Sequence, residues 1–354
     1  QKEYGMKKLL TVLLALMVVS TMVFAQASSE SKSEGPSGSL VLYTTIGDAE
    51  YHYFVDPFME KYPNIQIDVV NGGAGELKTR IQSEAGNPQC DVMFGGLVYS
   101  DAVNSASLWD GYISPNVELM GLPKKELELN WITTQVVNLL INKEMIAELG
   151  IEVKGYEDLL QPELKGKIVM ADPTSSSSGW NNLASMMTVM GNGDPSSEAA
   201  WDYVTKLIGQ LDGKISSSSS KTYKNVLQGE YPVGITYEGP CIQYFEDGVA
   251  DNIEIVYMEE GTIATTFGSA VVKNAPHMEN AKLFADWITS EECQAILAST
   301  VQRGANMNVP VTNEFVKDAS EIKFVTFDEA YFAANQDAIR QRWTETWAQV
   351  NSGK

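Results

Sequence analysis

Short apolar runs alternate with amphipathic stretches along the first part of the chain. The runs Ser39–Tyr43, Ile65–Val70 and Asp91–Phe94 are typical of buried strands. Between the first two, apolar side chains recur at helical spacing until Pro63 ends the pattern. This βαβαβ order predicts a parallel sheet with helices on both faces. In sheets of this class, ligands bind beyond the carboxyl ends of the strands.

A loop with four consecutive serines follows the apolar run Lys167–Ala171, a predicted strand. Apolar residues resume at helical spacing from Leu183, so the serines precede the start of a predicted helix. A helix N-terminus offers free N–H groups and a partial positive charge, which suit an anion. One serine suffices to cap a helix, so capping alone is the competing interpretation.

The same design recurs at Lys214–Lys221, where a short predicted strand, five serines and a predicted helix follow one another. This recurrence favours an anion site over capping. The long apolar run Asn130–Asn142 has the pattern of a strand that crosses between two lobes. Further strands are predicted at Tyr231–Pro240, Ile253–Met258 and Ala270–Lys273, and further helices at Tyr156–Leu160, Ala199–Gly209, Glu279–Ile288 and Glu291–Thr300.

Hydroxyls and glycines gather at the predicted carboxyl ends of these strands. Hydroxyl and N–H groups suit phosphate, phosphonate or carboxylate oxygens, and glycines allow a ligand close to the backbone. Glu238 would repel an anion, so we expect it to contact hydroxyl or amine groups at the ligand's other end. Tyr43, Trp180 or Tyr237 would offer a face to a sugar ring, with core packing the favoured alternative for each. The predicted ligand-binding residues are Thr44, Thr45, Gly95, Gly96, Ser175, Ser176, Ser177, Ser178, Ser219, Ser220, Tyr237 and Glu238.

Sequence motifs of catalysis are missing from the chain. It has no G-x-S-x-G elbow, no G-x-x-x-x-G-K-[ST] loop and no H-E-x-x-H motif. Its histidines, His52 and His277, lie near predicted helix starts, where surface or capping roles are expected. We therefore predict no catalytic residue, no metal site and no cofactor. A secreted phosphatase is supported only by the hydroxyl-rich loops.

The composition narrows the class of partner. At 354 residues the chain is long enough for two lobes, and its formal charge of −21 argues against nucleic acid or an anionic membrane as a partner. Cys90, Cys241 and Cys293 are odd in number and widely spaced, which argues against a disulfide framework or a zinc site.

The N-terminal segment has the pattern of a secretory signal peptide. Met6–Ala25 combines two lysines, an apolar run and small residues near its end. We predict a signal peptide over residues 1–27, including a leader at 1–5, with cleavage after Ala25 or Ala27; a membrane anchor is the alternative. Residues 28–37 are rich in Ser, Glu and Gly and are predicted to be a flexible leader. A periplasmic or other extracytoplasmic location follows.

From about Leu40 onwards the chain resembles the periplasmic solute-binding proteins of ABC importers, above all the ferric-ion-binding branch of extracellular solute-binding protein family 1. The resemblance rests on LVLYTTIGDAEYHYFVDPFMEKYP, CDVMFGG, VNLLINKEM, YEDLLQPELKGKIVMADPTSSSSGW, LQGEYPVGITYEGP and VVKNAPHMENAKLFADWITSEECQ. It implies a type II binding fold, with two α/β lobes joined by a two-strand hinge and the ligand in the cleft. The implied lobe 1 comprises 38–135 and 259–311, and lobe 2 comprises 136–258 and 312–354. A monomer that serves a membrane permease is expected.

Departures from the iron-binding pattern bear on the ligand. The resemblance places Gly47, Gly96, Gly239 and Pro240 where iron-binding members have metal ligands. The serine loop and Ser219 match the family's anion pocket. The pattern is similar to relatives that bind sugar phosphates or aminophosphonates, in which a glutamate matching Glu238 contacts the organic part. The favoured ligand is a small phosphorylated metabolite, first of all a sugar phosphate. An aminophosphonate, or iron held by other ligands such as Asp48 and Glu238, remains the alternative.

Overall fold

A computed structural model describes residues 35–120, 129–306 and 308–352 of the chain. The predicted signal peptide, residues 28–34 of the predicted leader and the side chain of Asp48 lie outside this description. Within the described residues, no helix is long and apolar enough to cross a membrane.

Strands and helices alternate along the described chain. The strands are β1 (Gly38–Thr44), β2 (Ile65–Asn71), β3 (Val92–Leu97), β4 (Asn130–Asn142), β5 (Ile168–Met170), β6 (Val233–Tyr237), β7 (Ile253–Val256), β8 (Ala264–Val271) and β9 (Arg303–Gly304). The α-helices are α1 (Asp48–Lys61), α2 (Ala74–Ser83), α3 (Tyr99–Asn104), α4 (Lys143–Leu149), α5 (Ser177–Met190), α6 (Glu198–Leu211), α7 (Ser219–Leu227), α8 (Glu238–Glu246), α9 (Met278–Ile288), α10 (Glu291–Ala298), α11 (Glu329–Ala334) and α12 (Gln336–Asn351).

The strands form a sheet in the order β2-β1-β3-β8-β4-β6-β5, and β7 and β9 pair with β4. β1 lies between β2 and β3 and is parallel to both, as the βαβαβ pattern predicts. β5 and β6 are also parallel, whereas β8 is antiparallel to β3 and β4. The parallel strands therefore direct their carboxyl ends, and the loops that follow them, toward common edges.

β4 belongs to two lobes at once. Its first part, Asn130–Val136, pairs with β8, and its second part pairs with β6 and β7. The returning chain lies beside it, because Thr262 Oγ1 donates a hydrogen bond of 2.7 Å to the Val137 carbonyl and Val137 N donates one of 3.4 Å to the Ile263 carbonyl. These two neighbouring crossings form the two-strand hinge of a type II binding fold.

Separate apolar clusters fill the two sides of the hinge. On the β1 and β3 side, Phe284 contacts Phe58 and Phe94 edge to face, each at a ring-centroid distance of 5.1 Å. The cluster on the β5 and β6 side includes Trp201 together with Trp343 from the C-terminal helix. Each lobe thus has its own core.

Some predicted elements are wrong in detail. Residues 214–216 form no strand: Ser216 makes only an isolated bridge to Ala171, because its hydroxyl accepts a hydrogen bond of 3.1 Å from Ser218 N and turns the chain into α7. Of the strand predicted at Ala270–Lys273, only Ala270 and Val271 are in a strand, at the end of the longer β8, whose first part is rich in threonine. The helix predicted at Tyr156–Leu160 is a 3₁₀ turn at Glu157–Leu160.

The histidines and cysteines have structural surroundings. His52 is exposed on α1, and its Nδ1 lies 3.0 Å from an oxygen of Asp56. His277 occupies the N-cap position of α9, and its Nδ1 lies 2.9 Å from the buried carboxylate of Asp91. The three cysteines are free and buried, and burial raises the pKa of each thiol.

Candidate ligand-binding site

A cleft of about 580 Å³ opens between the two lobes at the ends of several strands. Hydroxyl-bearing side chains and glycines make up much of its wall. The predicted residues that line it are Thr45, Gly95, Gly96, Ser175, Ser176, Ser177, Ser178, Ser219, Tyr237 and Glu238.

The first serine loop leads from β5 into α5. Ser176 is 9% exposed and is the N-cap of α5, because its hydroxyl accepts a hydrogen bond of 3.2 Å from Gly179 N. The Asp172 carbonyl accepts a hydrogen bond of 2.9 Å from Ser176 N, which anchors the loop. The N–H groups of Ser177 and Ser178 find no acceptor within the described parts of the chain. They are therefore available to an anion in the cleft.

The second serine loop brings the start of α7 to the same cleft. Ser217, Ser218 and Ser219 all line it. The loop is braced from within, since Ser218 Oγ lies 2.9 Å from Ser220 Oγ and Thr222 Oγ1 donates a hydrogen bond of 2.6 Å to the Ser219 carbonyl. Two helix N-termini, each with a serine loop, thus converge on one space, and their partial positive charges add there.

The loops after β1 and β3 form the facing wall. Gly95 and Gly96 have φ angles of +77° and +72°, a region that side-chain-bearing residues rarely adopt. A Cβ at Gly96 would also collide with the side chain of Thr45. Thr44 does not line the cleft: its hydroxyl donates a hydrogen bond of 2.8 Å to the Phe94 carbonyl and accepts one of 3.0 Å from Ile46 N. Thr44 therefore holds β1 to β3 behind the wall.

An ion pair that the sequence analysis missed lies on the cleft wall. Glu238 is 2% exposed and Arg303 is 5% exposed. Arg303 Nε donates to Glu238 Oε1 at 2.8 Å and Nη2 donates to Oε2 at 3.2 Å, while the Tyr257 hydroxyl donates to Oε2 at 2.7 Å. Burial opposes the guanidinium charge, but the hydrogen bonds to Glu238 outweigh it and raise the pKa of Arg303.

This pairing changes what Glu238 can do. Both of its carboxylate oxygens already accept hydrogen bonds from Arg303 or Tyr257. Any group that approaches Glu238 in the cleft therefore also meets the guanidinium of Arg303. Arg303 Nη2 also donates a hydrogen bond of 2.7 Å to the Lys317 carbonyl, which holds the guanidinium from a second side. No local motif marks Arg303; the only sequence signal is the need to compensate Glu238.

Glu50, on α1, is a second cleft carboxylate that the sequence analysis missed. Burial raises the pKa of Glu50, and a hydrogen bond with the Gln302 side chain partly opposes this shift. Among the described residues that line the cleft, Arg303 is the only lysine or arginine. The described cleft therefore combines the partial positive charge of two helix starts with two carboxylates and one guanidinium.

The aromatic candidates separate into one cleft residue and two core residues. Tyr237 lines the cleft, and burial raises its pKa. Trp180 packs edge to face on Phe332 at 5.9 Å, away from the cleft. Tyr43 is buried, and its hydroxyl donates a hydrogen bond of 2.9 Å to the Glu84 carboxylate. Ser220 also stays off the cleft wall. Lining residues that the sequence analysis missed include Glu50, Thr133, Thr134, Gln135, Phe267, Gln302 and Arg303.

The polar groups that line the described cleft are mainly hydroxyls, amides and backbone N–H groups, which are poor ligands for a metal ion. Gly96, Gly239 and Pro240, three of the positions matched to metal ligands, lie on its wall and offer no side-chain donor. Among the described residues, no three histidine, cysteine, aspartate or glutamate side chains are close enough to hold a metal ion together.

Comparison with known proteins identifies the family of this chain. A family model described as a bacterial extracellular solute-binding protein matches residues 53–300. The chain belongs to this family. Its members are binding proteins of ABC importers that act outside the cytoplasm with a membrane permease and a small ligand, and they are not enzymes.

Individual relatives differ in the ligand that they are named for. The solved structure of the periplasmic binding protein AfuA from Actinobacillus pleuropneumoniae, with exogenous fructose-6-phosphate bound, is similar with a TM-score of 0.73 and 26% identity, covering 90% of this chain and 100% of that one. An uncharacterised protein of Haemophilus influenzae is 27% identical over 348 residues, 92% of this chain and 96% of its own. Iron uptake protein A1 of Synechocystis is 27% identical over 292 residues, 73% of this chain and 75% of its own. The family thus fixes the type of function and leaves the ligand open.

Proposed function

We propose that this protein captures a small phosphorylated metabolite, with a sugar phosphate as the favoured ligand, and delivers it to an ABC permease. The observation that carries the proposal is the convergence of two serine-rich helix N-termini on one cleft. A phosphoryl group presents several acceptor oxygens and a negative charge, which such helix starts accommodate without a lysine or arginine. The similarity to a structure that holds fructose-6-phosphate supports the same ligand class.

In this proposal the ligand lies with its phosphoryl group against the serine loops. The free N–H groups of Ser177 and Ser178 and the hydroxyls of Ser177, Ser219 and Thr45 donate to its oxygens. The other end of the ligand faces Glu238 with its paired arginine, together with amides such as Gln302 and Gln135 that also line the cleft. These polar groups suit the hydroxyls of a sugar ring.

Iron is the weaker alternative for this cleft. Ferric iron is a hard cation that favours charged oxygen ligands, as other hard cations do. Of the two carboxylates that line the described cleft, Glu238 is already bound to a guanidinium. Glu50 is then the one carboxylate left there to bind a metal ion. An aminophosphonate shares the phosphoryl chemistry and differs only in the group that the far end must recognise.

Calorimetry on the purified protein tests the proposal. We expect glucose 6-phosphate to bind with a dissociation constant at least about a hundredfold below that of inorganic phosphate, because about 2.7 kcal/mol from the ring contacts is a hundredfold in affinity. Two parallel titrations use 2-aminoethylphosphonate and ferric citrate, and mass spectrometry of the native protein identifies any retained ligand. Tight binding of iron with a charge-transfer band, and none of a phosphorylated compound, would refute the proposal.

Closure of the lobes is expected on binding. We propose the lobe division 38–135 with 259–311 and 136–258 with 312–354, which puts Thr45 and the serine loops on opposite sides. A ligand held by both sides favours the closed form by its differential affinity. Small-angle X-ray scattering with saturating ligand should give a smaller radius of gyration, and the forward scattering should correspond to a monomer in both states. An unchanged radius would speak against hinge closure.

A further inference from the structure

Glu50 is the charged cleft residue without a counter-charge. It lies in the first turn of α1 and lines the cleft, and its side chain is half-buried. No lysine, arginine or histidine of the described residues pairs with it, and its only polar partner is the amide of Gln302. A carboxylate that is partly removed from water without a cation is costly unless a partner arrives.

Glu238 provides the contrast within the same cleft. Its charge is balanced by Arg303 through two hydrogen bonds, so the pair is close to neutral as a unit. Glu50 therefore leaves the described cleft with one uncompensated negative charge. A phosphorylated ligand with no positive group adds negative charge to this space, and like charges repel.

We propose that the ligand carries a protonated amine as well as a phosphoryl group, and that Glu50 binds the ammonium while the serine loops bind the phosphoryl oxygens. The ligand class is then an amino-sugar phosphate, a deepening that rests on the proposed function. An ammonium neutralises Glu50 and donates charge-assisted hydrogen bonds, which are shorter and stronger than those of a hydroxyl. A cleft of about 580 Å³ has room for a hexose ring as well as a phosphoryl group.

Burial of the Glu50 carboxyl also favours a cationic ligand. Burial raises the pKa of its carboxyl in the ligand-free cleft, so the charged form is disfavoured until a cation binds. The neighbouring titratable groups are the phenols of Tyr223 and Tyr237 and the ion-paired Glu238. Neither a phenol nor a neutralised glutamate supplies the missing positive charge.

Calorimetry at pH 7 with glucosamine 6-phosphate and glucose 6-phosphate tests this inference, since the two differ only in an amine or a hydroxyl on the ring. The wild-type protein should bind the amine at least about tenfold more tightly, the effect of one charge-assisted hydrogen bond. Glu50→Gln keeps the shape of the side chain and removes its charge. It should bring the ratio of the two dissociation constants to about one and leave glucose 6-phosphate binding at least as tight.

A control variant on the same helix shows whether any change is specific to Glu50. Glu60→Gln makes the same change at an exposed position of the same helix and should preserve the wild-type ratio. Equal wild-type affinities, or a preference that survives in Glu50→Gln, would overturn the role of Glu50 while glucose 6-phosphate binding still supports the phosphate site. If neither sugar phosphate binds, the proposed function itself fails.

Discussion

Replacement of Arg303 by methionine is expected to lower the free energy of unfolding by about 3–5 kcal/mol, because it leaves a buried carboxylate without its counter-charge. Glu238 is 2% exposed and would keep only the Tyr257 hydroxyl as a partner. The hydrogen bond from Arg303 Nη2 to the Lys317 carbonyl, 2.7 Å long, would be lost as well. Urea unfolding of the ligand-free protein, followed by circular dichroism, measures the change.

Two further variants separate charge from packing. Arg303→Met combined with Glu238→Leu removes both charges, and most of the lost stability should return because a buried pair is often replaceable by apolar groups. Lys154→Met removes an exposed lysine that pairs with the exposed Glu152, and it should change stability little because water screens that pair. If Arg303→Met costs no more than Lys154→Met, Glu238 has another source of compensation.

The sequence allowed prediction of the cleft wherever the information was local. Apolar runs located the strands, and the two serine runs marked the starts of α5 and α7. Family resemblance added the hinge. Even so, local patterns could not say which neighbouring side chain faces the ligand. Ser219 lines the cleft and Ser220 does not, because successive helical residues point about 100° apart.

Thr44 and Thr45 differ in the same way. Thr44 is the last residue of β1 and donates to the Phe94 carbonyl, whereas Thr45 follows the strand and lines the cleft. The two hydroxyls therefore have different roles although the sequence makes them look equivalent. Sequence analysis assigned both to the ligand.

Contacts between distant segments were beyond the sequence patterns. Arg303 pairs with Glu238 across 65 positions of the chain, and no spacing rule connects them. Glu50 lies in a helix that was predicted for its apolar face, and its position over the cleft depends on how α1 packs on the sheet. The antiparallel insertion of β8 between β3 and β4 is a further product of long-range pairing.

Removal of one hydroxyl from each serine loop tests whether both loops hold the same phosphoryl group. Ser177→Ala and Ser219→Ala should each weaken glucose 6-phosphate about tenfold or more, since a hydrogen bond to a charged group contributes about 1.5–3 kcal/mol. The two residues belong to separate helix starts, α5 and α7, so the combined variant should lose about a hundredfold if their contributions add. Calorimetry on the three variants measures the dissociation constants directly.

The comparison with Ser197→Ala decides what a weaker affinity means. Ser197 caps α6 by accepting a hydrogen bond of 3.3 Å from Ala200 N, and it lies outside the cleft. Its loss should lower stability by about 1 kcal/mol and leave the dissociation constant unchanged. If Ser177→Ala keeps full affinity, as Ser197→Ala should, the Ser177 hydroxyl does not hold the phosphoryl group; the cap of α5 is supplied by Ser176 in either case. If the double variant binds as tightly as one of the singles, the phosphoryl group is held by one helix start, and the convergence of two on a single anion is wrong.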